Sequence, residues 1–147
     1  MISALLAASS AACEEKGAEV PIAEELAHAN GLRTVLPQGF RAVTTAAGFE
    51  FDEEGELRSP KKITIVRSDA KPGLAAEGEQ TLPDREEARF AIQELEGGSG
   101  GDVYQLTAWR KATDGWIVMT EYVQVEHFDP DFAVGWAVLG QTRLSKN

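Results

Sequence analysis

The chain has 147 residues, 43% of them hydrophobic, which is enough to bury one sizeable core. Its 24 acidic and 14 basic side chains leave a net charge of −10, which repels a nucleic-acid backbone and an anionic lipid surface at long range. No run approaches the ~20 apolar residues of a membrane-spanning helix, so nucleic acid and an integral membrane role are both excluded, and an acidic surface favours encounter with a basic protein.

Taken in chain order, the first feature is an apolar, small-residue stretch over residues 2–12 that ends at the single cysteine, Cys13, and passes at once into Glu14, Glu15 and Lys16. This is the shape of the second half of a secretion signal. Ser10 and Ala12 suit a signal peptidase, and a cysteine directly after them is similar to a bacterial lipoprotein processing site, which makes Cys13 a candidate for lipidation. The alternative is an Ala-rich helix with an inert buried cysteine. One cysteine supplies neither a disulfide framework nor a metal quartet. Residues 13–31 read as a polar tether carrying a short helix, with Pro21 at its first position, Glu24 and Glu25 in the first turn and Asn30-Gly31 as the stop.

From Leu32 onward, β-branched and aromatic residues recur between Gly, Pro and Asp punctuation, and residues 32–147 are expected to form a β-rich binding domain. Phe40 to Thr45 and Gly48 to Phe51 are strand candidates, followed by the acidic turn Asp52 to Glu56. Lys61 to Arg67 is the next strand, with Ile63 and Ile65 on its buried face. Ser68 to Asp84 reads as a long surface connection. Asp84 to Leu95 fits a helix face or a strand, and the strand is favoured because the flexible Gly97 to Gly101 run after it joins extended segments. Residues 102–125 form a hairpin about Thr113-Asp114-Gly115, with Tyr104, Leu106 and Ala108 on one face. The end is expected to be a helix capped by Asp129, with Pro130 at its first position and a Phe132, Trp136 and Leu139 stripe; a last strand is the alternative because Gly135 and Gly140 lower helix propensity.

Chemistry is hard to assemble from these residues. The only histidines are His28 and His127, neither near a nucleophile elbow, and the glycine run lacks the lysine of a nucleotide loop. The stretch Glu126-His127-Phe128-Asp129-Pro130-Asp131 brings carboxylates, an imidazole and an aromatic ring together, but its spacing suits neither a calcium loop nor a zinc site. It is either a plain surface turn or an interface. No catalytic residues, cofactor or metal are expected. The candidate partner-binding residues are Glu126, His127, Phe128 and Asp131, together with Gly98, Ser99 and Gly100 of the flexible run.

Pro37-Gln38-Gly39-Phe40, the Glu96 to Gly101 run (EGGSGG), Leu106-Thr107-Ala108-Trp109 and Trp116-Ile117-Val118-Met119 together give the chain a resemblance, over roughly residues 32 to 144, to a family of periplasmic immunity proteins. These protect bacteria against type VI secreted peptidoglycan hydrolases, in particular a calcium-dependent muramidase effector. The resemblance implies a mainly β, antiparallel sandwich-like domain and a periplasmic address, with a possible outer-membrane lipid anchor. It also implies inhibition of a secreted peptidoglycan hydrolase, the toxin effector, by loops inserted into its substrate groove, with Glu126 the first position to test. The rival expectation is a generic cell-envelope lipoprotein acting as a scaffold or assembly component.

Overall fold

A computed structural model describes residues 20–55, 60–95, 101–125 and 129–145. Among these residues the chain forms strands β1 (Ile22–Ala27), β2 (Leu32–Pro37), β3 (Phe40–Thr44), β4 (Gly48–Glu53), β5 (Lys62–Ser68), β6 (Gly78–Thr81), β7 (Glu87–Leu95), β8 (Asp102–Ala112) and β9 (Gly115–Val125), then helix α1 (Ala133–Gly140) and strand β10 (Arg143–Leu144). The strands make two antiparallel sheets, a small one in the order β1-β2-β10 and a seven-stranded one in the order β3-β4-β5-β9-β8-β7-β6. The mainly β, sandwich-like architecture expected from the period-two segments is what the structure has.

Each long strand of the large sheet turns one face inward. Phe49 and Phe51 of β4, Ile63 and Ile65 of β5, Ile117 and Met119 of β9, and Leu106 and Ala108 of β8 are all buried and join Leu32 and Leu36 of β2 in one core. Helix α1 packs against β2, β5 and β9 and so closes the space between the sheets. Its sequence, AVGWAVLG, is apolar on every side, and Gly135 through Gly140 are all buried, as a helix of this composition requires. The Phe132, Trp136 and Leu139 stripe lies in that core. Behind the helix, Thr34 and Thr142 share a buried hydroxyl–hydroxyl bond of 2.7 Å, and Thr142 Oγ1 also donates to the Val138 carbonyl at 2.5 Å.

Three expectations need correction. The helix sought near Pro21 is strand β1 over residues 22–27: paired to β2 on one side only, it has just Ile22 and Leu26 half-buried, so Glu24 and Glu25 face water without needing a helix. The long connection after β5 contains β6, which has no large apolar residue and is held by its pairing with β7, from Gly78 opposite Phe90 to Thr81 opposite Glu87. Asp129 is not the cap of the last helix. That helix starts at Ala133, and its first free amide donates to Asp131 Oδ1 at 2.9 Å. The Asp84 to Leu95 stretch is the expected strand, β7.

The glycines that argued against a final helix are there for space. A Cβ on Gly140 would lie 2.6 Å from Pro83 Cδ, and one on Gly135 would lie 2.4 Å from Glu121 Oε1. Gly48 is tighter still, since its Cβ would meet the Ile65 carbonyl oxygen at 2.1 Å. Gly48→Ala is expected to destabilise the fold by about 2 kcal/mol or more, because the obstacle is backbone in the central sheet and cannot rotate away. Denaturant unfolding followed by circular dichroism checks this; an unchanged midpoint contradicts the β4–β5 packing described here.

Candidate functional site

Pairing registers place the candidate segments. Leu95 lies opposite Val103, Asp102 opposite Val125, Lys62 opposite Tyr122 and Asp52 opposite Lys62. The strand ends that flank residues 56–59, 96–100 and 126–128 therefore all stand at one end of the large sheet. The Gln38-Gly39 turn joins them there, since Phe40 pairs with Glu53 and the Glu54 amide donates to the Gly39 carbonyl at 2.8 Å. Two runs singled out separately in the sequence, Gly97 to Gly101 and Glu126 to Asp131, leave from neighbouring strands of one hairpin. Glu126, His127, Phe128, Gly98, Ser99, Gly100 and Cys13 lie outside the described residues; Asp131 lies within them and is exposed.

The described side chains at this end are mostly acidic. Glu53, Glu54, Glu94, Asp102, Asp129 and Asp131 gather there, with Arg41, Lys61 and Lys62 as nearby cations. Lys62 is taken up by Glu50 at 3.0 Å, and that bond raises its pKa. Lys61 bridges two segments: its backbone amide donates to Glu53 Oε1 at 3.0 Å and its Nζ donates to the Asp131 carbonyl at 3.4 Å. Tyr104 senses the concentration of charge, since partial desolvation, then the carboxylates of Glu94, Asp102 and Asp129, push its phenol up.

The opposite end of the sheet has a different character. There Lys71, Arg89, Arg110 and Lys111 line an open cleft of about 420 Å³ with Trp116, and Lys111 sits 5.0 Å above the Trp116 ring. Arg89 and Arg110 are partly balanced by Glu79 and Asp84 at 3.7 and 2.8 Å. That end thus mixes both signs, Glu79 and Glu87 also lining the cleft, whereas the end bearing the candidate segments is mostly acidic among its described side chains.

His28 is structural. Its Nδ1 accepts the Asn30 amide at 3.0 Å, so Nε2 carries the proton it donates to the Thr45 carbonyl at 2.7 Å, and the ring meets Phe49 edge-on. Among the described residues, no three His, Cys, Asp or Glu side chains are arranged to hold a metal.

The residue that sequence reasoning missed is Glu121. It lies beneath the acidic end on the inward face of β9, in register with Ile117, Met119 and Val123, and it is fully buried. Oε1 accepts the Gly135 amide at 2.9 Å, whereas Oε2 has no partner among the described residues. Burial pushes its pKa from 4.5 up to about 7; Asp131 and Glu53 push the same way, while Lys61 and the Gly135 amide oppose. The signal was in the sequence, as a polar residue at an inward position of a period-two strand.

Residues 33–143 match the family described as the type six secretion immunity 3 domain. The chain is 43% identical over 121 residues, 81% of its own length and 81% of the relative's, to a Pseudomonas aeruginosa protein named immune protein Tsi3. A crystallised protein from Bacteroides thetaiotaomicron shares the fold with a TM-score of 0.53 at 10% identity over 90% of this chain, which spans about half (49%) of that protein.

Because the Glu121 carboxyl titrates at about 7 when folded and at 4.5 when exposed, the folded state holds the proton more tightly. Its contribution to stability is then complete below the lower value and lost as pH rises through the upper one. The expected loss across that window is about 3 kcal/mol, and Glu121→Gln should remove most of this slope. Urea denaturation at about pH 5 and about pH 8 measures both; an equal slope in the two proteins assigns the effect to another group.

Proposed function

The chain belongs to the type six secretion immunity 3 family, and from that membership we propose that it neutralises a secreted peptidoglycan hydrolase by lodging the segments at the acidic end of its large sheet in the enzyme's substrate groove. As a member of this family it is an immunity protein of type VI secretion and not an enzyme, and its partner is a cognate effector. The convergence of the strand ends beside residues 96–100 and 126–128 at one carboxylate-rich end supports the finer reading. Segments mounted on rigid strands can enter a groove without a large ordering cost, and concentrated negative charge speeds encounter with a basic cleft. We further propose a periplasmic location, with Cys13 as the lipid-bearing first residue of the mature chain, on the strength of the small-residue run that precedes it.

Protein inhibitors commonly bury about 1,600 Å² in total, and a few central side chains carry most of the affinity. Glu126 is the position expected to dominate. Glu126→Ala should weaken binding by more than ~10-fold, in line with roughly 2–5 kcal/mol for removing one member of a desolvated charge pair, and should leave the fold intact. The hydrolase is first recovered by pull-down with the tagged mature chain from periplasmic and secreted fractions, and affinity is then read by titration calorimetry. Unchanged affinity after joint substitution of Glu126, Phe128 and Asp131 moves the interface elsewhere, and recovery of no hydrolase removes this class of partner. Mass spectrometry of the mature protein tests the anchor: an intact residue 1–13 segment without lipid overturns it.

A further inference from the structure

Glu121 is the one fully buried charged side chain among the described residues, and packing alone does not account for it. An unpaired buried carboxyl oxygen such as Oε2 is destabilising, and an apolar residue of similar size would fill the same space. The neighbours are built around this group all the same. Gly135 has no side chain where a Cβ would strike Oε1, and its amide is aimed at that oxygen. The charged groups that act on Glu121 are Glu53 at the end of β4, Lys61 ahead of β5 and Asp131 ahead of α1, while α1 itself contributes no charged side chain.

We propose that Glu121 is a protonation latch: as a neutral acid it locks α1 against β9 and holds residues 129–132 in the arrangement offered to the effector, and as a carboxylate it releases them. The first half stands on the burial of the carboxyl, with Oε2 unpartnered, and on its contact with Gly135; the link to the effector rests on the function proposed above. Little slack separates latch and site. Asp131 Oδ1 accepts the Ala133 amide at 2.9 Å, Phe132 is buried in the core, and the Phe132 carbonyl accepts the Trp136 amide at 3.0 Å. Any movement of α1 away from β9 therefore carries the segment with it.

Linkage fixes the direction. Any partly opened state in which water reaches Glu121 returns its carboxyl toward the ordinary value of 4.5, so opening becomes easier as pH rises toward and past about 7. Over the whole window the gain is on the order of a hundredfold in the opening equilibrium. Lys61 is the only cation among the three neighbours. Its ammonium donates to the Asp131 carbonyl, and its lowering of the Glu121 pKa is outweighed by burial.

Hydrogen exchange of the Gly135 amide in the full chain tests the latch, read as a protection factor so that the intrinsic pH dependence of exchange cancels. Protection is expected to fall by about tenfold or more between pH 5 and pH 8 in the unmodified protein, and by less than about twofold in Glu121→Gln. The fall should come with lower protection at Gly135 than at Ala108 in the central strand β8. Equal protection at Gly135 and Ala108 at every pH means that α1 opens only with the whole fold, and overturns the latch; so does an undiminished fall in Glu121→Gln. If that variant does not fold, the Gly135 amide proton shift of the unmodified protein decides, with a midpoint near 7 expected and one below about 5 fatal. Calorimetry against the hydrolase recovered by the pull-down then tests the coupling. The ratio of affinities, Glu121→Gln over unmodified, should rise between pH 6 and pH 8, and a constant ratio severs the latch from the site. Absence of binding at any pH defeats the proposed function, while the exchange result still stands on its own.

Discussion

The docking of an all-apolar helix against the centre of a β-sheet is the constraint around which this structure is arranged. Helix α1 has no polar face to give to water, so it is stable only where both β2 and the large sheet cover it. At eight residues it is also too short to persist on its propensity, and two of those residues are glycines. What holds it is close approach: Gly135 against Met119 and Glu121, and Gly140 against Pro83. Those contacts exist only when the sheet is complete, so the helix depends on the sheet for its place. The buried carboxyl lies at the seam between them.

Legibility in the sequence followed the strength of the period-two signal. Strands β5 and β9 alternate buried and more open positions because one face is core and the other is nearer solvent, and that alternation was readable from Ile63, Ile65, Ile117 and Met119, whereas β8 is buried on both faces from Leu106 to Trp109. Strand β1 was misread because an edge strand with little burial carries little apolar pattern, leaving Pro21, Glu24 and Glu25 to mimic a helix start. Strand β6 is defined by its partner and not by its own residues, so no window of its sequence could have shown it. The last helix was legible from Phe132, Trp136 and Leu139, but its start was placed too early: Asp129 and Asp131 both look like caps, and only the fold decides between them.

For the candidate site, the sequence supplied the segments but not their meeting. Gly97 to Gly101 and Glu126 to Asp131 are separated by the whole β8–β9 hairpin, and the strand ends beside them meet because antiparallel pairing folds both flanks of that hairpin to the same end. The acidic turn after β4 arrives there by the same parity. Three runs read separately, as an acidic turn, a flexible glycine run and a turn or interface, are flanked by strand ends that share one mostly acidic end once the strand order is known. The gathering of Lys71, Arg89, Arg110 and Lys111 with Glu79 and Glu87 in one cleft at the far end was hidden for the same reason, since a net charge of −10 says nothing about where the charges sit.

Stability and recognition draw on the same strand. Strand β9 carries Ile117, Met119 and Val123 into the core and ends at Val125, directly before the segment proposed to meet the effector. An inhibitor needs its contact residues preorganised, because every side chain ordered on binding subtracts from affinity. Mounting the proposed recognition segment between β9 and a helix packed on that strand would supply that order. The cost is that packing errors in the core reach the rim. A substitution at Met119 or Gly135, far from any partner, would disturb Ala133 and Asp131 through the helix, whereas a change on β6, separated from β9 by β7 and β8, would not. If that segment meets the effector as proposed, adjacency to the β9–α1 seam, and not distance along the chain, decides which residues matter for recognition.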